Sequence, residues 1–333
     1  MTSIKPRSRL RVWTSRLFKG FAVVIIVVLL ATTIAGRVLH ARDAKRWKAP
    51  GRLVDVGGGR RLHLYCTGRG SPTVVLEAGL GDFSEQSWYK VQPGIASFTR
   101  VCSYDRAGLG WSDPVSAPPV ADEIVRDLHT LLQVADEHPL YLLVGHSQGG
   151  AIVRHYASHY RDQVAGLLLL EGSHEDQKQI EPIPEWVGWM VHVLPVVNAL
   201  GIDRVAGGLG AHDSVASIAL ARMTTPAAIQ NTVEVFNSLD TFLDQVRRDA
   251  RPFGELPLVV ISAEIRDPDP GQSEAESQRT QARWYDMQKD LAGRATHGRW
   301  LIAERSHHHI QWDRPDLVLQ TVRELVDAQR ASR

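Results

Sequence analysis

Cysteine is scarce in this chain, with only Cys66 and Cys102 among 333 residues. Two are too few for a disulfide scaffold, and their spacing is wrong for a metal knuckle. An excess of one charge sign is also missing. The 38 Lys and Arg stand against 37 Asp and Glu, a formal net charge of +1, so nothing in the overall balance calls for nucleic acid. Internal repeats and low-complexity tracts are absent. Residues 1–20 contain no acid, yet carry Lys5, Arg7, Arg9, Arg11, Arg16 and Lys19. Phe21–Gly36, FAVVIIVVLLATTIAG, contains no charge at all.

That uncharged run has no polar face and follows a basic tail, which argues against a buried core helix and for a membrane segment. At ~1.5 Å per residue it makes roughly 24 Å of helix, short of a ~30 Å hydrocarbon core. Leu17 and Phe18 extend it, with Lys19 and Arg37 reaching the headgroups. TIAG is a mediocre cleavage site and the run is long for a signal peptide. The expectation is therefore an uncleaved signal-anchor over 21–36, with secretion after cleavage as the alternative. Six basic residues precede the run, and Arg37, Arg42, Asp43, Lys45, Arg46 and Lys48 follow it. The positive-inside rule then places residues 1–20 in the cytoplasm and the bulk of the chain outside. Residues 37–50, charged and ending in Ala49-Pro50-Gly51, read as a linker.

From residue 51 the pattern is that of an α/β protein. GRLVDV, GGG and RRLHLYC make a hairpin with a glycine turn. PTVVLEAG, LYLLVGHS, VAGLLLLEG and LPLVVISAE are continuous apolar runs, as expected of strands buried on both faces. TRVCSYD and RWLIAE are shorter strands. ADEIVRDLHTLLQVA, GAIVRHYASHY and DLVLQTVRELVDAQR have helical periodicity. The alternation predicts a mostly parallel, doubly wound sheet. Residues 173–255 interrupt the rhythm, are too long for a loop, and read as a helical cap.

Between one strand and the next helix stands Gly145-His146-Ser147-Gln148-Gly149. A serine hydroxyl is a weak nucleophile that needs a base and must stand clear of its neighbours. A tight strand-to-helix turn holds it up, and small residues two positions either side make room. The helix presents its positive end there, and the Gln148 N–H faces a developing oxyanion. This is the G-x-S-x-G nucleophile elbow in its expected context. The base should be a histidine on a loop after the last strand, where LIAERSHHHIQWDRPDLV offers His307, His308 and His309. Adjacent side chains point apart, and no Cys or Glu completes a zinc pattern, so one base and two bystanders are expected. His155 and His159 lack the glutamate of H-E-x-x-H and read as a polar helix face.

From Gly51 to the C-terminus the chain resembles the α/β-hydrolase-fold family. The resemblance implies an eight-stranded, mostly parallel sheet with helices on both faces and a cap. SHHHIQWDRP resembles the family's Ser-Gly-His-aromatic-(Ile/Leu)-Gln ending, which makes His308 the base and puts His307 in the usual glycine place. The third member of the triad is implied after LPLVVISAE, with Asp267 first and Asp269 second. Glu264 lies nearer the strand end, and some members of the fold place the acid where this chain has Glu171. EAGLGDFSEQSW resembles the family's oxyanion loop, implying Leu80 N–H as the second donor. YDRAGLGWSDP also resembles a family loop, implying that Asp105 and Arg106 pair beneath the site. The implied strand order makes the second and fourth strands neighbours, which allows a Cys66–Cys102 disulfide outside the cytoplasm.

The expected function is a membrane-anchored serine hydrolase. Ser147, activated by His308, attacks a carboxylic ester or related acyl carbonyl of a small-molecule substrate, with no metal or organic cofactor. Dehalogenases and epoxide hydrolases use an aspartate nucleophile and do not fit Ser147. A cofactor-free perhydrolase, a C–C bond hydrolase or a non-catalytic binding protein of the same fold are the alternatives.

Overall fold

The computed structural model describes residues 9–115, 120–180, 185–208, 210–211, 214–266, 268 and 271–332. The apolar runs form one eight-stranded sheet. Its strands are β1 (Arg52–Asp55), β2 (Arg61–Thr67), β3 (Thr73–Glu77), β4 (Val101–Tyr104), β5 (Tyr141–His146), β6 (Val164–Leu170), β7 (Leu258–Ala263) and β8 (Arg299–Ala303). They lie in the order β1-β2-β4-β3-β5-β6-β7-β8. The β1–β2 and β2–β4 pairs are antiparallel and the others parallel. Cys66 and Cys102 face each other in the β2–β4 register and are joined as a disulfide.

The helices are α1 (Arg9–Arg46), α2 (Ser84–Trp88), α3 (Gln92–Ala96), α4 (Ala121–Val134), α5 (Gln148–His159), α6 (Glu185–Ala199), α7 (Ile202–Gly208), α8 (Ser214–Met223), α9 (Pro226–Arg248), α10 (Glu274–Gly293), α11 (Ile310–Asp313) and α12 (Pro315–Ala331). Successive strand residues point to opposite faces, and the core splits accordingly. Leu143, Leu167, Leu169 and Val260 pack with α4, α5 and Leu291 of α10. Leu142, Val144, Leu168 and Leu170 pack with Trp88, Ile95 and the Val318–Val322 side of α12.

The chain divides into two compact units. One comprises Ala49–His192 and Ala227–Arg333, which hold the sheet; the other joins the N-terminal helix to Val193–Pro226. Two expectations change here. Residues 37–50, read as a linker, are helical as far as Arg46. No Gly or Pro interrupts residues 37–49, and Ala, Arg and Lys favour helix. The stretch 173–255 is helical as expected but is not one cap. Its central part, Val193–Pro226, belongs with α1, because Arg204 of α7 forms a buried ion pair with Asp43 of α1.

Candidate active site

Ser147 stands between β5 and α5 at φ 53° and ψ −123°, a conformation unfavourable for a residue with a Cβ. A Cβ on Gly145 would lie 2.4 Å from the Gly149 carbonyl oxygen, and one on Gly149 would lie 2.4 Å from that of Glu77. Glycine at both places is a steric requirement of the turn. Ser147 N–H donates to the Leu170 carbonyl at 3.0 Å, and its own carbonyl accepts from Gly150 and Ser173 at 2.9 Å. The serine is thus fixed by its backbone. Gln148 begins α5, so its N–H belongs to the helix's first turn, without an intrahelical acceptor.

The loop after β3 is held from below. Tyr104 and Arg106 both donate to the buried Glu77 carboxylate, Arg106 at 2.6 Å. Arg106 also donates to the Ala78 carbonyl at 2.7 Å and to the Gly79 carbonyl. Burial pushes the Glu77 carboxyl up, against the opposing pull of Arg106 and Tyr104. A trans peptide is planar, so a Gly79 carbonyl fixed on Arg106 turns the Leu80 N–H to the other side. The expected Asp105–Arg106 pair is therefore not what forms. Asp105 instead accepts from His63 Nδ1 at 2.8 Å and from the Ser84 and Trp111 N–H groups.

His308 lies on the loop between β8 and α11. Its Nδ1 is 3.6 Å from Glu171 Oε2, with the His308 side chain half exposed and Glu171 buried. That distance is an ion-pair contact, longer than a hydrogen bond. Glu171 is itself anchored, for Oε1 accepts from Ala263 N–H at 2.7 Å and Trp284 Nε1 at 3.2 Å. It occupies the first position after β6 at φ 50°. Glu264 is engaged elsewhere, accepting from Arg305 N–H at 2.7 Å. Asp267 and Asp269 lie outside the described residues. A cavity of about 370 Å³ opens beside Glu171, lined by Ala263, Ile265, Gln281 and the three histidines. His307 faces Asp313, while His309 stacks on Trp312 and approaches Asp82 at 3.7 Å.

His146, the residue before the serine, was not singled out by the sequence. It is buried, and Nε2 lies 3.0 Å from the His308 carbonyl oxygen. Burial, then the neighbouring His308 and His309, hold its pKa well below the usual imidazole value. A neutral imidazole donates from Nε2 to that carbonyl and so ties the His308 loop to the elbow. The signal available in the sequence was a polar residue inside an otherwise apolar strand end.

Two histidine clusters have metal-ligand geometry among the described residues, namely Asp122-His155-His159-Asp249 and Asp82-His146-His309. In the first, the Arg248 guanidinium already lies 3.2 Å from Asp122 and 3.1 Å from Asp249, filling the need for a cation. His155 is not on an exposed polar face as expected. It is buried, with Nε2 2.7 Å from Asp122.

A family model described as alpha/beta hydrolase fold matches residues 72–199. This chain has the α/β-hydrolase fold. An uncharacterised Bacillus subtilis protein, YqjL, is 26% identical over 251 residues, covering 75% of this chain and 82% of that one. Among solved structures, a thermophilic esterase from Thermogutta terrifontis superposes with a TM-score of 0.58 at 18% identity, covering 84% of this chain and 98% of that one. The meta-cleavage product hydrolase CumD from Pseudomonas fluorescens matches with a TM-score of 0.56 at 18% identity, with the same coverage. At such identities the structures establish the fold, and the α/β-hydrolase chain's chemistry must be argued from its own residues.

Proposed function

We propose that this α/β-hydrolase is a membrane-anchored serine hydrolase that cleaves a carboxylic ester or related acyl bond, with Ser147 as nucleophile, His308 as base and Glu171 as acid. The carrying observation is the anchored Glu171 carboxylate against His308 Nδ1, next to a serine held in a strained turn. With Nδ1 turned to Glu171, Nε2 is the nitrogen left for the Ser147 proton. The serine oxygen attacks the carbonyl carbon, and His308 passes the proton to the leaving group. Leu80 and Gln148 N–H groups receive the tetrahedral oxyanion. Water, deprotonated by His308, then releases the acyl group. The acid role moves from Asp267 to Glu171 because Glu171 is the buried carboxylate in contact with the ring.

The anchor in this reading is α1, whose Arg16–Arg46 portion is long and apolar enough to cross a membrane. Labelling the full chain in detergent with a fluorophosphonate tests the chemistry. Wild type is expected to label, and Ser147→Ala and His308→Ala are not. A folded wild type that neither labels nor hydrolyses p-nitrophenyl esters would overturn the catalytic reading in favour of a binding protein.

A further inference from the structure

Within its own unit, α1 meets the corner between α6 and α7 backbone to backbone. A Cβ on Gly36 would lie 2.8 Å from the Gly201 Cα, and one on Gly201 would lie 2.4 Å from the Thr32 carbonyl oxygen. The Thr33 hydroxyl reaches the Leu200 carbonyl at 3.4 Å. Only glycine permits this approach. Farther on, Arg204 donates to one oxygen of Asp43 at 2.8 and 2.6 Å, both side chains being buried. The step from Gly36 to Asp43 parallels the step from Gly201 to Arg204, so α7 runs beside α1 towards the same end. At the corner α6 turns away from α7 by 86°.

Thr32, Thr33 and Gly36 belong to the last turns of the uncharged run of α1. A bilayer that receives Phe21–Gly36 must also receive what touches those residues. Resting on the reading of α1 as an anchor, we infer that the Val193–Ile202 corner is a second membrane-inserted element, a re-entrant turn seated at the hydrocarbon boundary, with lipid as its partner. The composition fits. Val193–Ile202, VLPVVNALGI, carries no charge, and Val196 is 60% exposed. Its one polar side chain, Asn198, is turned inward and donates to Asp203 at 2.7 Å and to the Thr224 carbonyl at 2.6 Å. No amide is left to face hydrocarbon, as a lipid-embedded segment requires. Asp43 lies seven residues beyond Gly36, about 10 Å along the helix, which brings its pair with Arg204 to headgroup level. The corner therefore enters without crossing.

Both native cysteines are tied up in the disulfide, so one introduced thiol can be labelled selectively. The full chain carrying Val196→Cys, labelled with an NBD fluorophore and reconstituted in phosphatidylcholine vesicles, is compared with Val27→Cys in mid-anchor. The inference expects blue-shifted emission at both positions. It also expects a roughly twofold drop with doxyl-labelled lipid and little quenching by iodide, as for buried apolar segments. Lipid-like emission at 27 with water-like emission and iodide quenching at 196 would overturn the inference alone. Water-like emission at both would overturn the anchor reading as well.

Discussion

Glu171 holds its carboxylate 3.6 Å from Nδ1 of His308, at the first position after β6. Its other oxygen is bonded to the β7 end and to Trp284, so the carboxylate cannot swing away without breaking buried contacts. Glu171→Gln keeps the shape but removes the charge that stabilises the imidazolium. It is expected to lower kcat on p-nitrophenyl acetate by ~10²–10⁴-fold with KM little changed, the pattern of lost transition-state stabilisation. Asp267→Asn is expected to stay within about threefold of wild type on the same assay. The reverse ranking would return the acid to the β7 loop.

Gly79 tests the oxyanion loop. A Cβ there would lie 3.0 Å from His146 Nδ1 and 3.2 Å from Asp82 Oδ2, and both neighbours are buried. Gly79→Ala must push the loop outward and carry the Leu80 N–H with it. Loss of one oxyanion donor costs ~10²–10³-fold in kcat, and a fall of that order is expected with a far-ultraviolet circular dichroism spectrum like that of wild type.

Glu175 provides a pH test of the loop after β6. Arg154 lies 3.1 Å and Arg294 2.6 Å from its two oxygens. Burial alone would raise the carboxyl, but the two guanidinium charges outweigh it and hold the pKa at about 2. A depressed carboxylate stabilises the fold above its unfolded value near 4.5, and that contribution is lost as pH falls towards 2. The shift corresponds to about 3 kcal/mol. Urea unfolding should therefore find Glu175→Gln less stable by about that order at pH 7. The gap should narrow steadily below pH 4.5. A gap independent of pH would mean that the loss is one of packing.

The Cys66–Cys102 bond closes a loop with a sequence separation of 36. Loop-closure entropy for that length is worth about 4 kcal/mol. Thiol titration of unfolded, non-reduced protein should find no free cysteine. The double variant Cys66→Ser/Cys102→Ser should unfold at lower urea than wild type.

Asp43 and Arg204 are both buried. Asp43→Ala strands the guanidinium, a loss of about 3–5 kcal/mol for a buried pair broken on one side. Limited proteolysis should then cut faster within 193–226, and Asp43→Ala/Arg204→Leu should restore much of the wild-type resistance. Equal cleavage of wild type and the single variant would show that the pair does not hold this unit together.

Sequence alone determined what depends on local pattern. The uncharged run after a basic tail fixed a long apolar helix, the continuous apolar runs fixed a parallel sheet, and Gly-x-Ser-x-Gly fixed a strained turn whose glycines leave no room for a Cβ. The residues around Ser147 were legible because a tight turn constrains its immediate neighbours. What depends on contacts between distant segments was decided only by the tertiary structure. Glu171 meets His308 across 137 positions of sequence, and a carboxylate after one strand looks like a carboxylate after another until the strands are packed. Arg106 chose Glu77 over Asp105 because adjacent side chains on extended chain point apart. Val193–Pro226 joined α1 because Gly36 and Gly201 let two backbones touch, and two glycines far apart in a chain carry no mark of each other.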